Sequence, residues 1–268
     1  MLTMPKKRRK PKRWLYPLAL EREYEKLLTA YADEIVQAIE NRLQFLNLRL
    51  DGVEDIPESS GWFEDLRVWL VGLVGYTSAD RVLLSIKQIM ASADRFNRKQ
   101  FYAVFRSVFG VDVFTTEPFL ADLLAAWEAE NIKLIKSIPS QYLDQLHGKI
   151  VAAVRAGVPS KDLANVVRAT FDIPRRRAKL IARDQIGKLN GQLTMERQKN
   201  IGVTHYVWRT SLDERVREEH RHREGEQFSW DNPPEDGHPG NPINCRCSAE
   251  AVFHDLEDLK GVVYGNTL

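Results

Sequence analysis

The stretch Trp208 to Cys247, WRTSLDERVREEHRHREGEQFSWDNPPEDGHPGNPINCRC, is where the chain changes character. It holds both cysteines, Cys245 and Cys247, and the histidines His220, His222 and His238. Its segment Asp231-Asn-Pro-Pro-Glu-Asp-Gly-His-Pro-Gly-Asn-Pro242 is a dense run of turn formers without counterpart elsewhere in the chain. Such residues fix or invert φ and interrupt both helix and strand.

Short strands are expected around this run. Thr204 to Thr210 alternates β-branched and aromatic residues at period two, the pattern of a half-buried strand. Glu226 to Trp230 reads as a second short strand, and Arg246 to Phe253 as a third that returns beside the first. Ser211 and Glu214 have capping-box spacing for a short helix over Asp213 to Arg221. A small terminal helix is expected over Asp255 to Gly261.

Upstream the period is helical. Leu20, Tyr24, Leu27, Tyr31, Ile35, Ile39, Leu43 and Leu46 recur at three- and four-residue steps, predicting one long amphipathic helix over Leu18–Leu50. A shorter helix is expected over Trp62 to Gly75, and another from Arg81 to Phe109, capped by Ser78, Ala79 or Asp80 and closed by Gly110. Thr116-Glu117-Pro118 opens a helix that reaches about Ser137. Ile138-Pro139-Ser140 restarts the chain as a further helix to about Ala156, since an interior proline normally ends one. Gly157 to Ser160 is a turn. A short helix over Lys161 to Thr170 and a long basic one over Arg175 to Asn200 follow, the latter stopped by Gly202.

The fold class is therefore mainly α: a bundle of long helices followed by a small C-terminal α+β module with a short antiparallel sheet. Four segments are expected: a basic flexible arm over 1–17, a helical body over 18–137, a basic helical segment over 138–202, and the small module over 203–268.

Composition narrows the class. Of 268 residues, 43% are hydrophobic and 28% charged, ordinary for a chain with a packed core. No apolar run reaches the roughly 18–20 residues of a membrane span. The charged N-terminus does not read as a signal peptide. Two cysteines at Cys-x-Cys spacing give no disulfide framework and suit a reducing compartment.

The net charge of +2 conceals segregation. The first 20 residues carry seven basic and no acidic residues; residues 148–200 carry twelve basic against four acidic. Two basic blocks on an acidic remainder point to two places that meet anions. The candidate phosphate contacts are Lys6, Lys7, Arg8, Arg9, Lys10, Lys12 and Arg13 in the arm, and Arg175, Arg176, Arg177 and Lys179 on the basic helix. The bland alternatives are a solvated tail and arginines paired with the acidic body. Trp14, Leu15 and Tyr16 read as an anchor against the body or a partner.

Three chemistries compete in the C-terminal module. His220, His238, Cys245 and Cys247 are zinc-type ligands whose spacing closes a tetrahedral set around the long loop, and a loop-rich module with little core gains from such a staple. His222 lies beside them in very polar sequence. A metal-dependent nuclease would use the same residue types, but no nuclease motif is met. A cysteine nucleophile paired with His238 is weaker still. In the third reading the cysteines are small buried apolar residues and the charged turn is held by hydrogen bonds alone.

An ordered series of residues carries a resemblance. Ile181-Ala-Arg183-Asp184-Gln185, Gly202, Trp208-Arg-Thr210, Asp213-Glu-Arg215-Val-Arg217, His220, Gly225, His238-Pro239 and Cys245-Arg-Cys247 resemble the phage Mu F-like minor head protein family, also called the phage head morphogenesis family. The similarity covers roughly Ser137 to Val252. Arg223-Glu224-Gly225 departs from the family's usual Leu-Asp-Gly. Arg183, Asp184, Trp208, Asp213, Arg215 and Arg217 form its structural signature here.

The resemblance implies a non-enzymatic minor capsid component of a tailed phage, located in the virion head at the portal vertex and in the host cytoplasm during assembly. Its implied partners are the portal protein, major capsid or scaffold proteins, and double-stranded DNA bound without base specificity. It implies no membrane and no small-molecule substrate, and keeps one structural zinc as the cofactor. A DNA-binding adaptor and a metal-dependent nuclease stand as alternatives.

Overall fold

The three- and four-residue apolar series at the N-terminal end builds helix α1, Leu18–Leu50, and puts Tyr24, Leu28, Tyr31, Ile35 and Ile39 on one buried stripe. The structure is a computed structural model that describes residues 11–50, 68, 72, 79–158, 160–253 and 259–265. The other long helices are α2, Ala79–Phe109, α3, Leu120–Arg155, and α5, Asp172–Asn200; α4, Ser160–Arg168, and α6, Glu218–His222, are short. A three-stranded antiparallel sheet joins β3, Gln227–Ser229, to β2, His205–Arg209, and β2 to β4, Ser248–Ala251. The protein is mainly α with a small α+β module near the C-terminus, as its periodicities predict. No helix among the described residues is long and apolar enough to cross a membrane.

The chain divides into two units, each assembled from separated segments. One takes residues 22–87 and 129–182. Its buried apolar residues are the α1 stripe, Ile135, Ile138, Tyr142, Leu146 and Ile150 of α3, Val167 of α4, and Ala178 and Ile181 of α5. Polar pairs fix the register: Tyr24 Oη donates to Asn131 Oδ1 at 2.7 Å, and the Tyr142 and Thr170 hydroxyls lie 3.0 Å apart.

The other unit takes residues 1–21, 88–128 and 183–268. Trp14, Phe101, Val104, Phe105, Val108, Phe109, Ile201 and Val203 form one core cluster; Tyr206, Trp208, Trp230, Cys245, Cys247 and Ala249 form the other. Arg197 is wholly buried between them in sequence, with Nε donating to Glu117 at 2.9 Å, Nη1 donating to Asn97 Oδ1 at 2.6 Å, and Nη2 paired with Asp94. A second, two-stranded ribbon pairs β1, Asp112–Phe114, with β5, Val263–Gly265.

Several boundaries differ from the sequence reading. Ile138-Pro139-Ser140 does not end a helix: α3 runs through it. The apolar stripe Ile135, Ile138, Tyr142, Leu146 keeps its phase across the proline, so burial holds the helix axis. The Ser137 and Ser140 hydroxyls donate to the carbonyls of Leu134 and Lys136, on either side of the Ile135 carbonyl that Pro139 leaves without its ladder donor. The capping box Ser211/Glu214 is not formed. Leu212 is in the left-handed region at φ 58°, Asp213 Oδ1 instead accepts from Arg215 N at 3.0 Å, and α6 starts only at Glu218. Helix α3 begins at Leu120, after Pro118, and α5 begins at Asp172, with Pro174 buried in its first turn. The expected helix over Trp62–Gly75 lies almost entirely outside the described residues. Of the expected terminal helix, 255–258 lie outside them, while Lys260 and Gly261 form a bend ahead of β5.

Gly202 shows why α5 stops where the sequence says. Its φ is 84°, and the Val203 N–H reaches back to Gln198 O at 3.0 Å, a left-handed C-terminal closure that favours glycine. The chain then enters β2 directly.

Candidate metal centre

Strand alternation points Tyr206 and Trp208 of β2 inward, both fully buried. They lie across from Ala251 and Ala249 of β4, whose small side chains leave room for the rings. Trp208 Cα carries the indole to within 5.1 Å (centroid to centroid) of the His220 ring, edge to face, and Arg223 stacks 5.0 Å from the indole on α6's exit. α6 is a single turn, yet its His220 is buried while His222 beside it is exposed.

The proline-rich loop delivers the cysteines. Three turns close in succession, with N–H donors of Gly237, Asn241 and Cys245 bonded to the carbonyls of Pro234, His238 and Pro242 at 2.9, 3.0 and 3.0 Å. The loop lies directly on α5 at two glycines one turn apart. A β-carbon on Gly187 would stand 2.8 Å from the Cys245 carbonyl oxygen, and one on Gly191 would stand 2.5 Å from that of Pro239. Both positions therefore require glycine for close backbone approach.

The result is a compact donor set. His220 Nδ1 lies 3.7 Å from Cys245 Sγ and 3.5 Å from Cys247 Sγ, all three residues being buried. The other ring nitrogen, Nε2, is 2.8 Å from Asp236 Oδ2, and Asp236 Oδ1 accepts from Arg223 Nη1 at 2.5 Å. An Nε2–H donated to the carboxylate leaves the Nδ1 lone pair facing the two sulfurs. This is the arrangement in which a carboxylate orients a metal-ligating imidazole.

Without a metal, the electrostatics favour charge separation within the set, a proton on His220 and negative charge on Cys245, and a cation between them would take that proton's place. The Cys247 thiol donating to Cys245 is the main cause that holds the Cys245 thiol low, at about 5; burial opposes it, and His220 and the Gly240 and Cys247 N–H groups assist. Cys247 is pushed up by that shared hydrogen bond and by burial. His220 is raised by its bond to Cys245, against burial, with Asp236 contributing. Burial pulls Asp236 up, but the His220 and Arg223 hydrogen bonds outweigh it and hold the carboxyl below its ordinary range. Two buried sulfurs, one of them held acidic by its hydrogen bonds, and an imidazole oriented by a carboxylate fit zinc. The same residues also have the composition of a cysteine–histidine–aspartate relay. Cys245 is only 5% exposed and its sulfur accepts several N–H and S–H bonds, which suits a ligand sulfur more than a nucleophile.

His238 stands apart from this set. Its Nδ1 is 3.0 Å from the Tyr206 hydroxyl and its ring packs 4.8 Å from Trp230, and burial holds it below the ordinary imidazole range. The signature residues brace the loop. Arg183 and Arg246 both donate to buried Glu21, Asp184 Oδ1 accepts from Asn244 N at 3.3 Å, and Arg217 Nη2 donates to Ile243 O at 2.7 Å. Asp213 Oδ2 is 3.8 Å from Arg246, and Arg215 is exposed.

The basic residues fall into three groups. Lys6, Lys7, Arg8, Arg9 and Lys10 lie outside the described residues. Lys12 and Arg13 lead into an anchored segment: Arg13 Nη2 donates to Thr210 O at 3.1 Å, Gln100 makes two 2.8 Å bonds to the Leu15 backbone, and Trp14 is buried. On α5, Arg175 bonds Asp33 at 2.5 Å, Lys179 approaches Glu25 at 3.7 Å, Arg177 donates to Ser137, and Arg176 is exposed.

Sequence reading missed Asp236, Gly187, Gly191, Glu21 and Glu224. Gly187 and Gly191 had a visible signal, a one-turn glycine pair inside a helix. Glu224 had one, its place opposite the acid of the family's Leu-Asp-Gly, but its role is set by a contact across fourteen residues: its Oε2 accepts from Thr210 N at 2.6 Å and Thr210 Oγ1 at 2.8 Å.

A helical protein closed by a three-stranded module around a His/Cys/Cys cluster is the class that fold and site define. Residues 144–250 match the family described as Phage Mu protein F like protein, so that segment is similar to that family. An uncharacterized protein of Haemophilus influenzae (strain ATCC 51907 / DSM 11121 / KW20 / Rd) is 43% identical over 143 residues. That similarity covers 53% of this chain and 32% of the relative, so the chain spans about a third of the length of the protein it matches. No solved structure matches.

Proposed function

We propose that this chain is a structural, non-enzymatic minor head protein of a tailed phage, associated with the portal vertex and acting in head morphogenesis. The observation that carries the reading is the Phage Mu F-like segment, 144–250, which contains the whole His220–Cys245–Cys247 cluster and its glycine-lined seat on α5. Portal, major capsid and scaffold proteins are the partners of this reading. Double-stranded DNA is a secondary one, met through exposed Arg176 and the basic run Lys6 to Lys10. The test is deletion of the gene from the producing phage followed by electron microscopy of the particles. Misassembled or unfilled heads are expected; normal numbers of DNA-filled heads would overturn the reading.

Within that function, one zinc ion held by His220, Cys245 and Cys247 acts as a staple. It would fix the loop, which has little apolar core of its own, and would supply no step of a reaction. The support is the donor chemistry: two sulfurs and an imidazole whose far nitrogen is already held by Asp236. Elemental analysis of purified protein should give one zinc per chain.

A further inference from the structure

Three protein donors leave a four-coordinate zinc one ligand short. Among the described residues, no further His, Cys, Asp or Glu joins the cluster. The donors do not face a closed core: all three line a cavity of about 230 Å³. Its wall carries Arg183 and Arg246, both paired with Glu21 behind it, and Arg215 and Arg217, which have no carboxylate partner among the described residues; the one carboxylate on the wall, Asp213, is engaged by Arg246 and the Arg215 backbone.

The mouth of the cavity has a second character. Ile243, on its wall, is 58% exposed, and Leu212, between the wall residues Ser211 and Asp213, is 65% exposed. Leu212 at φ 58° and Asn244 at φ 61° are the positive-φ non-glycine residues among those described. Strained backbone at a site that displays large apolar side chains marks a surface shaped for contact. Apolar display beside guanidinium groups fits a peptide carrying a carboxylate; phosphates of nucleic acid would find no use for the leucine and isoleucine.

We propose that the metal's fourth ligand is a carboxylate from an acidic segment of a partner protein, which docks on the arginine- and leucine-edged mouth of this cavity. The proposal rests on the metal reading given above. It makes the cluster a joint: the chain's own three donors hold the ion, and the partner completes its shell. Arg215 and Arg217 steer and pair the incoming carboxylate, while Leu212 and Ile243 cover its flanking side chains.

The test uses the full chain loaded with cobalt(II), whose sulfur-to-metal charge-transfer band reports binding and whose ligand-field bands report the fourth position. The probes are a short peptide with one glutamate between leucines, its glutamine counterpart, free acetate, and a duplex oligonucleotide. The glutamate peptide should shift the ligand-field bands and saturate at a concentration at least about tenfold below acetate; the glutamine peptide should not. Arg215→Gln should weaken the peptide about tenfold with the charge-transfer band unchanged. Equal response to acetate and peptide would make the ligand a free small carboxylate and overturn the docking. A response to the oligonucleotide alone, or to none of the probes, overturns it as well. Absence of the charge-transfer band itself would instead sink the metal reading, and the joint with it.

Discussion

Asp236 holds the imidazole of His220 by its far nitrogen, 2.8 Å from Nε2, so that the near nitrogen faces both cysteine sulfurs. The carboxylate is fixed in turn by Arg223. Removing such a support leaves every direct ligand in place but frees the ring. Asp236→Asn should weaken zinc roughly 10- to 100-fold in competition with a chromophoric chelator. Unchanged affinity would mean that the carboxylate serves only the charge of Arg223.

The two buried histidines of the module have different work. His220→Gln and Cys247→Ser should each lose the equivalent of zinc and lower the melting temperature. His238→Gln should keep the metal, because His238 is engaged with Tyr206 and Trp230 and not with the sulfurs. Metal content and thermal melting of the three variants decide this.

Two glycines in α5 and one in α3 should respond in opposite directions to alanine. Gly187→Ala and Gly191→Ala place a methyl against the loop carbonyls of Cys245 and Pro239, and should cost about 1–3 kcal/mol each as the loop is pushed off the helix. At Gly148, nothing lies within 4 Å of the added carbon. There the gain in helix propensity should stabilise by about 0.5–1 kcal/mol. Urea unfolding of the three variants reads both signs; stabilisation at Gly191 would mean that the loop does not rest on α5 there.

Arg197 should be the most sensitive position outside the module. Its side chain is fully buried and answers Asp94 and Glu117, which are themselves largely shielded. Arg197→Met would leave those carboxylates with only the half-exposed Arg98 as cation and should destabilise by about 3–5 kcal/mol. A double variant that also neutralises Asp94 and Glu117 should recover part of the loss, measured by denaturant midpoint.

Acid should loosen the turn after β2 through Glu224. Burial raises this carboxyl, but the Thr210 N–H and hydroxyl and the Arg209 guanidinium outweigh it, so its folded value lies below the ordinary 4.5. A depressed folded value means stability that is present above the unfolded value and lost as pH falls through the folded one. Melting temperature should therefore fall below about pH 4.5, and Glu224→Gln should be less stable at neutral pH and lose this part of the acid dependence. Parallel melting curves of the two proteins across that range would remove Glu224 from the account.

Much of the helical part was legible because apolar spacing is a local property. The series from Leu20 to Leu46 predicts α1 to the residue, and Gly110 and Gly202 mark real helix ends. The three strands around the proline-rich loop were legible for the same reason. Pro139 was misleading: proline weakens a helix locally, but the buried phase of Ile135, Ile138 and Tyr142 is set by packing over many residues. The β1–β5 ribbon was invisible, since three-residue strands carry no period and their pairing joins Asp112 to Gly265 across the chain.

For the site, sequence by itself determined the ligand types: two cysteines, a handful of histidines, and the turn residues that bend the chain around them. It also determined the Phage Mu F-like signature, which is an order of residues and needs no coordinates. Only the tertiary structure decided that His220 joins the sulfurs and His238 does not, that Asp236 stands behind the ring, and that arginines open the cluster to a cavity. The reason is physical. Ligand distance is fixed by where α6 holds His220 and where the loop lands on Gly187 and Gly191 of α5, and those contacts join residues whose separation along the chain carries no trace of them.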